Sequence, residues 1–295
     1  MAEAALECVW DLGALLGEGP VWHDEALWFV DIKRHRVHRL TPATGEKHQW
    51  DAPEQVCWVV PAEGGRWLAG LQSGVAWFDP AEGSFTRWLD PEPDLPGNRL
   101  NDATVDARGR LWFGTMDDAE KANSGRVYRL RDDGRAVAAG PRCPITNGPA
   151  ISPDGALLYP VDTHAGHIWR YRIADDGTLE DGEVLITVDP ADGHPDGAIC
   201  DAEGCIWVAL YGGWGVRRYS PAGELLAYVA LPVSDVTKIA LGGPDLRTAY
   251  ATTASKDVDA ATRAEQPLAG GVFAFRVDTP GVAMPLAKIG LPAKQ

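Results

Sequence analysis

Six short β-rich segments recur along the chain: LWFVD from Leu27, RWLAG from Arg66, LWFGT from Leu111, LYPVD from Leu158, IWVAL from Ile206 and AYATT from Ala249. Their aromatic anchors, Trp28, Trp67, Trp112, Tyr159, Trp207 and Tyr250, fall 39 to 48 residues apart, the period of propeller blades rather than of helical solenoids. No long stretch carries a helical period. Most anchors follow a turn tetrapeptide, DARG, SPDG, DAEG or AEGG, whose glycine supplies the positive φ that a tight hairpin needs. A second turn and another alternating strand come next, as in HRVHRL, GRVYRL, HIWRYRI, WGVRRYS and GGVFAFRV. A unit of about four short antiparallel strands cannot bury both faces alone, so units must stack, and a ring of them protects the edges. The expected fold is all-β, a six-bladed β-propeller. The early segment ALECVWD is expected to complete the last blade beside GGVFAFRV and so close the ring.

No linker or charge block divides the chain, so residues 1–295 are expected to form one domain. A net charge of −15 opposes encounter with a phosphate backbone or an anionic membrane, which excludes nucleic acid and membrane as expected partners. The segment MAEAALECVW lacks a basic n-region and a long apolar core, and no run of about 18 apolar residues follows, so a soluble cytoplasmic protein is expected. The five cysteines, Cys8, Cys57, Cys143, Cys200 and Cys205, have no paired spacing and read as buried free thiols. A Cys200–Cys205 bridge across the DAEG turn is the alternative.

Aligning the repeats on their anchors brings polar residues into register. Glu18 lies ten residues before Trp28, Asn101 eleven before Trp112, Asn147 twelve before Tyr159 and Asp196 eleven before Trp207. Three of these share a local pattern, EGPV, NGPA and DGAI, in which a polar residue precedes glycine and an apolar strand. Equivalent positions of different blades lie at one height around the axis, so Glu18, Asn147 and Asp196 are expected to meet at one mouth of the central channel. Two carboxylates and a carboxamide oxygen around a point make an oxygen-rich divalent-cation site, and three protein ligands leave room for water and substrate. The bland alternative is that GEGP, TNGP and HPDG are only hairpin turns. At the same height NRLND contributes Arg99 and Asn101, VTKIA contributes Lys238, and QVCWVV offers Cys57 and Trp58 as an apolar side. His164 and His167 read as residues of a turn between two strands, with a metal pair as the alternative, and His194 as a loop residue near Asp196.

The stretches GEGPVW, RLNDATVDARGRLWFGTM, NGPAISPDG, PDGAICDAEGCIWVA and ALGGPDLRTAYATTA resemble the regucalcin/gluconolactonase family of sugar lactonases, in order and over essentially the whole chain. The resemblance implies a six-bladed propeller with one divalent metal at the channel mouth, held by Glu18, Asn147 and Asp196. It also implies that Arg99 and Asn101 contact substrate hydroxyls and that Asp196 is the general base. The overall look is closest to bacterial aldonolactonases acting on pentose-derived lactones such as xylonolactone. The chain departs from the family at Lys238, where a small hydroxyl or apolar residue is more usual, and at Pro160, which interrupts a strand ladder and predicts a local bulge or unpaired stretch.

The chemistry expected is hydrolysis of a cyclic sugar ester to the open aldonate, with the metal polarising the carbonyl and Asp196 taking a proton from water. Arg99, Asn101 and Lys238 would bind the sugar, with Trp58 along one side. Oxygen ligation and Lewis acidity favour Fe(II) or Mn(II), with Zn(II) and Ca(II) as alternatives. No GxSxG setting for a serine nucleophile is present. A monomer is expected, with a homo-oligomer as the alternative. Two other readings remain open here: a metal-binding or interaction propeller without catalysis, and a metal-dependent hydrolase of another ester or a phosphotriester.

Overall fold

In the computed structural model, which describes residues 6–131 and 133–289, the strands form six four-stranded antiparallel sheets. Blade 1 runs outward through Gly17–His23, Ala26–Asp31, Arg36–Thr41 and Glu46–Asp51. Blades 2 to 5 repeat this order, beginning at the inner strands Val56–Ala62, Asn98–Val105, Thr146–Ile151 and His194–Cys200. Blade 6 is built from Val236–Gly242, Thr248–Thr253 and Val272–Arg276, with Glu7–Trp10 as its outermost strand. Each inner strand touches those of the neighbouring blades, and the first meets the last. The chain is thus a six-bladed β-propeller, closed as expected by the N-terminal strand, with Glu7 opposite Ala274 and Trp10 opposite Val272.

Burial follows position in the blade. Every residue of Val56–Ala62 and Val236–Gly242 is buried, whereas Glu46–Asp51 is almost wholly exposed. Inner strands packed on both faces must be nearly continuous in apolar residues, while outer strands can alternate or turn polar. The recurring aromatics join blade to blade: Trp28 meets Trp67 at 4.2 Å between ring centroids, and Trp22 stacks on Tyr250 at 5.5 Å.

The turn aspartates explain why the tetrapeptide and the anchor recur together. Asp106 accepts the backbone N–H groups of Arg108 and Arg110 with one oxygen, and the Trp112 indole N–H at 2.9 Å with the other. Asp201 does the same with Glu203, Cys205 and Trp207. One carboxylate therefore both shapes the hairpin and satisfies the buried indole donor of its own blade.

Pro160 interrupts its ladder as expected: Leu158 pairs with Tyr171 and Val161 with Ile168, leaving the two positions between unpaired on that side. All five cysteines are free thiols, so the Cys200–Cys205 bridge is not formed. No helix among the described residues is long and apolar enough to cross a membrane.

The segment after the last strand crosses the far end of the channel. Gly281 donates to the Leu246 carbonyl, Ala287 to Pro61 and Lys288 to Gly109, which ties blades 6, 2 and 3 together under the axis. Val282, Ala283 and Met284 face the inner strands there. This strap leaves the opposite mouth as the way into the channel.

Candidate active site

All six inner strands carry a register shift against their second strand at the same height. Glu18 pairs with Val30 and Val21 with Trp28; Asn147 pairs with Val161 and Ala150 with Tyr159; Pro195 pairs with Leu210 and Ala198 with Val208. In each case two residues face one. Equivalent shifts fall after Val56, Leu100 and Val236. A bulge of this kind bends a strand and re-aims its side chains, so six bulges in register set a ring of residues, Glu18, Cys57, Asn101, Asn147, Asp196 and Thr237, at one height, and Glu18, Asn101, Asn147 and Asp196 of these line the mouth. Gly19 and Gly148 follow two of them with φ of +53° and +69°. A side chain at Gly19 would also lie 3.1 Å from the Cys57 carbonyl, so the bulge requires glycine on both counts.

The ring opens into a cavity of about 260 Å³, lined by Glu18, Arg99, Asn101, Asn147 and Asp196 together with Leu16, Met116 and Ile145 on the apolar side. Glu18 and Asp196, 178 positions apart in the chain, meet here. Asn101 links two blades, donating from Nδ2 to the Thr146 carbonyl at 2.6 Å and to Asn147 Oδ1 at 2.8 Å. Asn147 Nδ2 donates to Thr163 Oγ1 at 2.8 Å, so the amide is held at both ends, its oxygen by Asn101 and its nitrogen by Thr163. Arg99 donates from Nη1 to Asn101 Oδ1 at 2.6 Å and from Nε to Asp118 Oδ1 at 2.9 Å. Asp118 is gripped in turn by Lys33 at 2.7 Å and Gln55 at 3.0 Å. Burial alone would raise the Asp118 carboxyl, but the hydrogen bonds from Lys33 and Gln55, with Arg99 beside it, hold it below the ordinary value.

Three buried carboxylates crowd the axis: Glu18, Asp102 and Asp196. Burial first, and the Asp102 charge second, push the Glu18 carboxyl up to about 8, against the opposing pull of the Gly19 N–H, Lys238 and Arg99. Burial, then Glu18 and Asp102, raise Asp196 well above the usual carboxylate range. Asp102 is raised by burial and pulled down by Lys238. Lys238 Nζ donates to Asp102 Oδ1 at 2.5 Å and, more distantly, to the Ala103 carbonyl at 3.5 Å, and Asp102 Oδ2 has no partner. No protein group among the described residues donates to the Asp196 carboxylate.

The chain matches the family described as the SMP-30/Gluconolactonase/LRE-like region over residues 16–255. It belongs to that family. A 6-deoxy-6-sulfogluconolactonase of Pseudomonas putida is 37% identical over 286 residues, which cover 95% of this chain and 98% of the relative. An L-arabinolactonase of Azospirillum brasilense is 34% identical over 274 residues, 91% and 90% of the two chains. Among solved structures, a calcium-binding regucalcin from Agrobacterium tumefaciens superposes with a TM-score of 0.93 at 30% identity, covering 97% of this chain and 98% of that one. The SMP-30/gluconolactonase span contains Glu18, Arg99, Asn101, Asn147 and Asp196.

Two residues expected in the pocket lie elsewhere, for a shared reason. Trp58 and Lys238 each sit one position past the bulge residue of their strand, and a one-residue step in a strand reverses the face. The Trp58 ring is 1% exposed and lies against Gly70 and Phe113 in the core; the bulge position of blade 2 is the buried Cys57. The Lys238 side chain runs over Gly197 to Asp102 and faces the small cavity above the strap. Thr237, buried and donating to the Gly17 carbonyl, takes the bulge position of blade 6. His164 and His194 stand exposed at the rim, whereas His167 does not line the cavity.

Residues that repeat alignment does not reveal complete the rim. The Tyr211 hydroxyl donates to Asp257 Oδ2 at 2.7 Å. Lys256 Nζ lies 3.0 Å from Asp257 Oδ2 and 3.3 Å from Glu120 Oε1. Lys256 and Asp257 enter on the long connection between the blade 6 strands Thr248–Thr253 and Val272–Arg276; that length, where a hairpin would suffice, is the signal in the sequence. A separate group, Asp201, Glu203 and Cys205, has ligand atoms within 4.8 Å of one another, but Arg218 and Trp207 already occupy its acidic oxygens.

Proposed function

We propose that the protein hydrolyses a sugar lactone to the open-chain aldonate, with a pentonolactone such as xylonolactone as the favoured substrate. Its family makes it a lactonase, a carboxylic ester hydrolase. The observation that carries the reading of the site is the convergence of Glu18, Asn147 and Asp196 beside Arg99 and Asn101 in one cavity. About 260 Å³ lies just under the roughly 300–1,000 Å³ of drug-sized sites and suits a single sugar ring. An L-arabinolactonase and a pentonolactonase are among the relatives, which supports a five-carbon lactone.

The donor set fits a divalent cation. Glu18 and Asp196 are buried carboxylates raised first by burial, with Glu18 adding to the rise of Asp196; the Lys238 ammonium is engaged with Asp102, and Asn147 lines the same cavity. Glu18, Asn147 and Asp196 would hold the ion, with Fe(II) or Mn(II) preferred over Zn(II) or Ca(II) for oxygen ligands and Lewis acidity. When bound, the cation supplies positive charge to the lactone carbonyl oxygen. Asp196 removes a proton from the attacking water, whose oxygen bonds to the carbonyl carbon. The same carboxyl group returns the proton to the ring oxygen as the ester C–O bond breaks. Arg99 and Asn101, locked by Asp118 and Asn147, orient the sugar hydroxyls, and Leu16, Met116 and Ile145 limit the water in contact with the ring. Free thiols throughout suit a reducing compartment, and we place the activity in the cytoplasm.

The deciding experiment is a pH-stat assay across neutral aldonolactones, with and without chelator. About one metal ion per chain and loss of activity on chelation are expected; full activity of rigorously metal-free protein overturns the metal reading. Arg99→Ala is expected to cost about 1 to 3 kcal/mol in kcat/KM on polyhydroxylated lactones. An unsubstituted lactone should be slowed much less. Equal slowing of both would remove the orienting role.

Metal-free protein should also show a pH signature. Since the folded-state pKa of Glu18 is raised from 4.5 to about 8, its contribution to stability is full below the unfolded value and is lost as pH rises through about 8. Buried His38, lowered to about 4 by burial, acts in the opposite sense but only below its unfolded value near 6.5. Between about pH 7 and 8.5, therefore, the melting temperature of metal-free protein should fall, and Glu18→Gln should flatten that slope. A slope unchanged in Glu18→Gln would assign it to other groups.

A further inference from the structure

The charges around the mouth are unevenly free. Four acids face the cavity, Glu18, Glu120, Asp196 and Asp257, against two permanent cations, Arg99 and Lys256. Both cations already have carboxylate partners. Arg99 Nε bonds Asp118 at 2.9 Å. Lys256 stands between Asp257 at 3.0 Å and Glu120 at 3.3 Å, with the Tyr211 hydroxyl fixing Asp257 from the other side at 2.7 Å. The Lys256–Glu120 contact joins residues 136 positions apart, from the blade 6 connection to a loop of blade 3, so the paired lysine is part of the rim. A substrate group approaching it meets two carboxylates before it meets an unpaired ammonium. Neutral hydroxyls suit that rim, since they can donate to Asp257 and Glu120 and accept from Lys256. A phosphate or sulfonate can only accept, and two like charges flank the one donor it needs.

We infer that this cavity selects neutral polyhydroxylated lactones and rejects lactones that carry a second, anionic substituent, and that Asp257 is the residue that sets this preference by holding Lys256. The inference rests on the lactonase reading above and narrows its substrate class. Rejection here comes from a built-in repulsive element rather than from a missing contact.

The test compares kcat/KM for D-glucono-1,5-lactone with that for the same lactone bearing a 6-phosphate or a 6-sulfonate, on metal-loaded protein. It is run at about pH 7.5, where imidazole side chains are ordinarily neutral, with uncatalysed opening subtracted. The anionic lactones are expected to be used at least about thirtyfold less well than the neutral one. In Asp257→Asn, which keeps an acceptor for Tyr211 but removes the nearer of the two carboxylates paired with Lys256, the anionic-to-neutral ratio should rise by about tenfold or more. Adding Lys256→Met to Asp257→Asn should abolish that rise, an outcome that a merely structural role of Asp257 would not produce. Wild-type protein that opens the anionic and neutral lactones within about threefold of each other overturns the inference and leaves the lactonase reading standing. So does an Asp257→Asn ratio that stays flat, or one that survives loss of Lys256. Protein that opens neither lactone overturns the lactonase reading, and this inference falls with it.

Discussion

Asp196→Asn is expected to lower turnover by about two to four orders of magnitude, the usual range for loss of a positioned general base. Asparagine keeps the size of the side chain and one oxygen that can face a metal, so saturating cation should not restore the rate. The geometry singles out Asp196 because its carboxylate lines the cavity and accepts no hydrogen bond from a described protein group. Asn147, by contrast, lines the cavity with its amide fixed by Asn101 and Thr163. Asn147→Ala should therefore weaken metal binding and recover in part at high metal concentration, because the base survives. Single-turnover rates measured over a metal titration separate the two. If excess metal brought Asp196→Asn to near wild-type turnover, Asp196 would serve only as a ligand, and His194 at the rim would be the first candidate for the base.

Lys238→Met should destabilise the fold by about 3 to 5 kcal/mol, the cost of removing one partner from a buried ion pair. The side chains of Lys238 and Asp102 are 4% and 3% exposed, and the Lys238 charge opposes the rise of Glu18, Asp102 and Asp196 alike. Without it, Asp102 joins Glu18 and Asp196 as an uncompensated buried carboxylate. The double variant Asp102→Asn/Lys238→Met should regain most of the loss, since it removes the stranded charge together with its partner. Urea denaturation of the metal-free forms reads both effects. A single variant as stable as wild type, or a double variant no better than the single, would show that the pair does not neutralise the channel. Loss of stability in Lys238→Met would also separate this lysine from the sugar-binding role expected of it.

Much of the molecule is legible in its sequence because a propeller is periodic. Burial on both faces forces apolar inner strands, each hairpin demands its turn residues, and Asp106 and Asp201 serve Trp112 and Trp207 in the same way. Counting from those anchors brings Glu18, Asn101, Asn147 and Asp196 to one height, since each lies ten to twelve residues upstream. The same counting misplaces Trp58 and Lys238 by one residue. The bulges that aim the ring insert an extra residue into every inner strand, and spacing alone does not say on which side of the insertion a given side chain falls. The partners of the site are less legible still. Asp118 behind Arg99, Asp102 against Lys238 across 136 positions, and the Tyr211–Asp257–Lys256–Glu120 rim arise from contacts between blades and connections that share no repeat. Sequence by itself therefore determined the number of blades, the ring closure and the polar residues brought to the mouth, because these follow from local periodicity. Tertiary structure alone decided which charges are paired and which remain free, because Coulombic and hydrogen-bond partners depend on distance in space, and residues from separate blades meet only once the ring is closed.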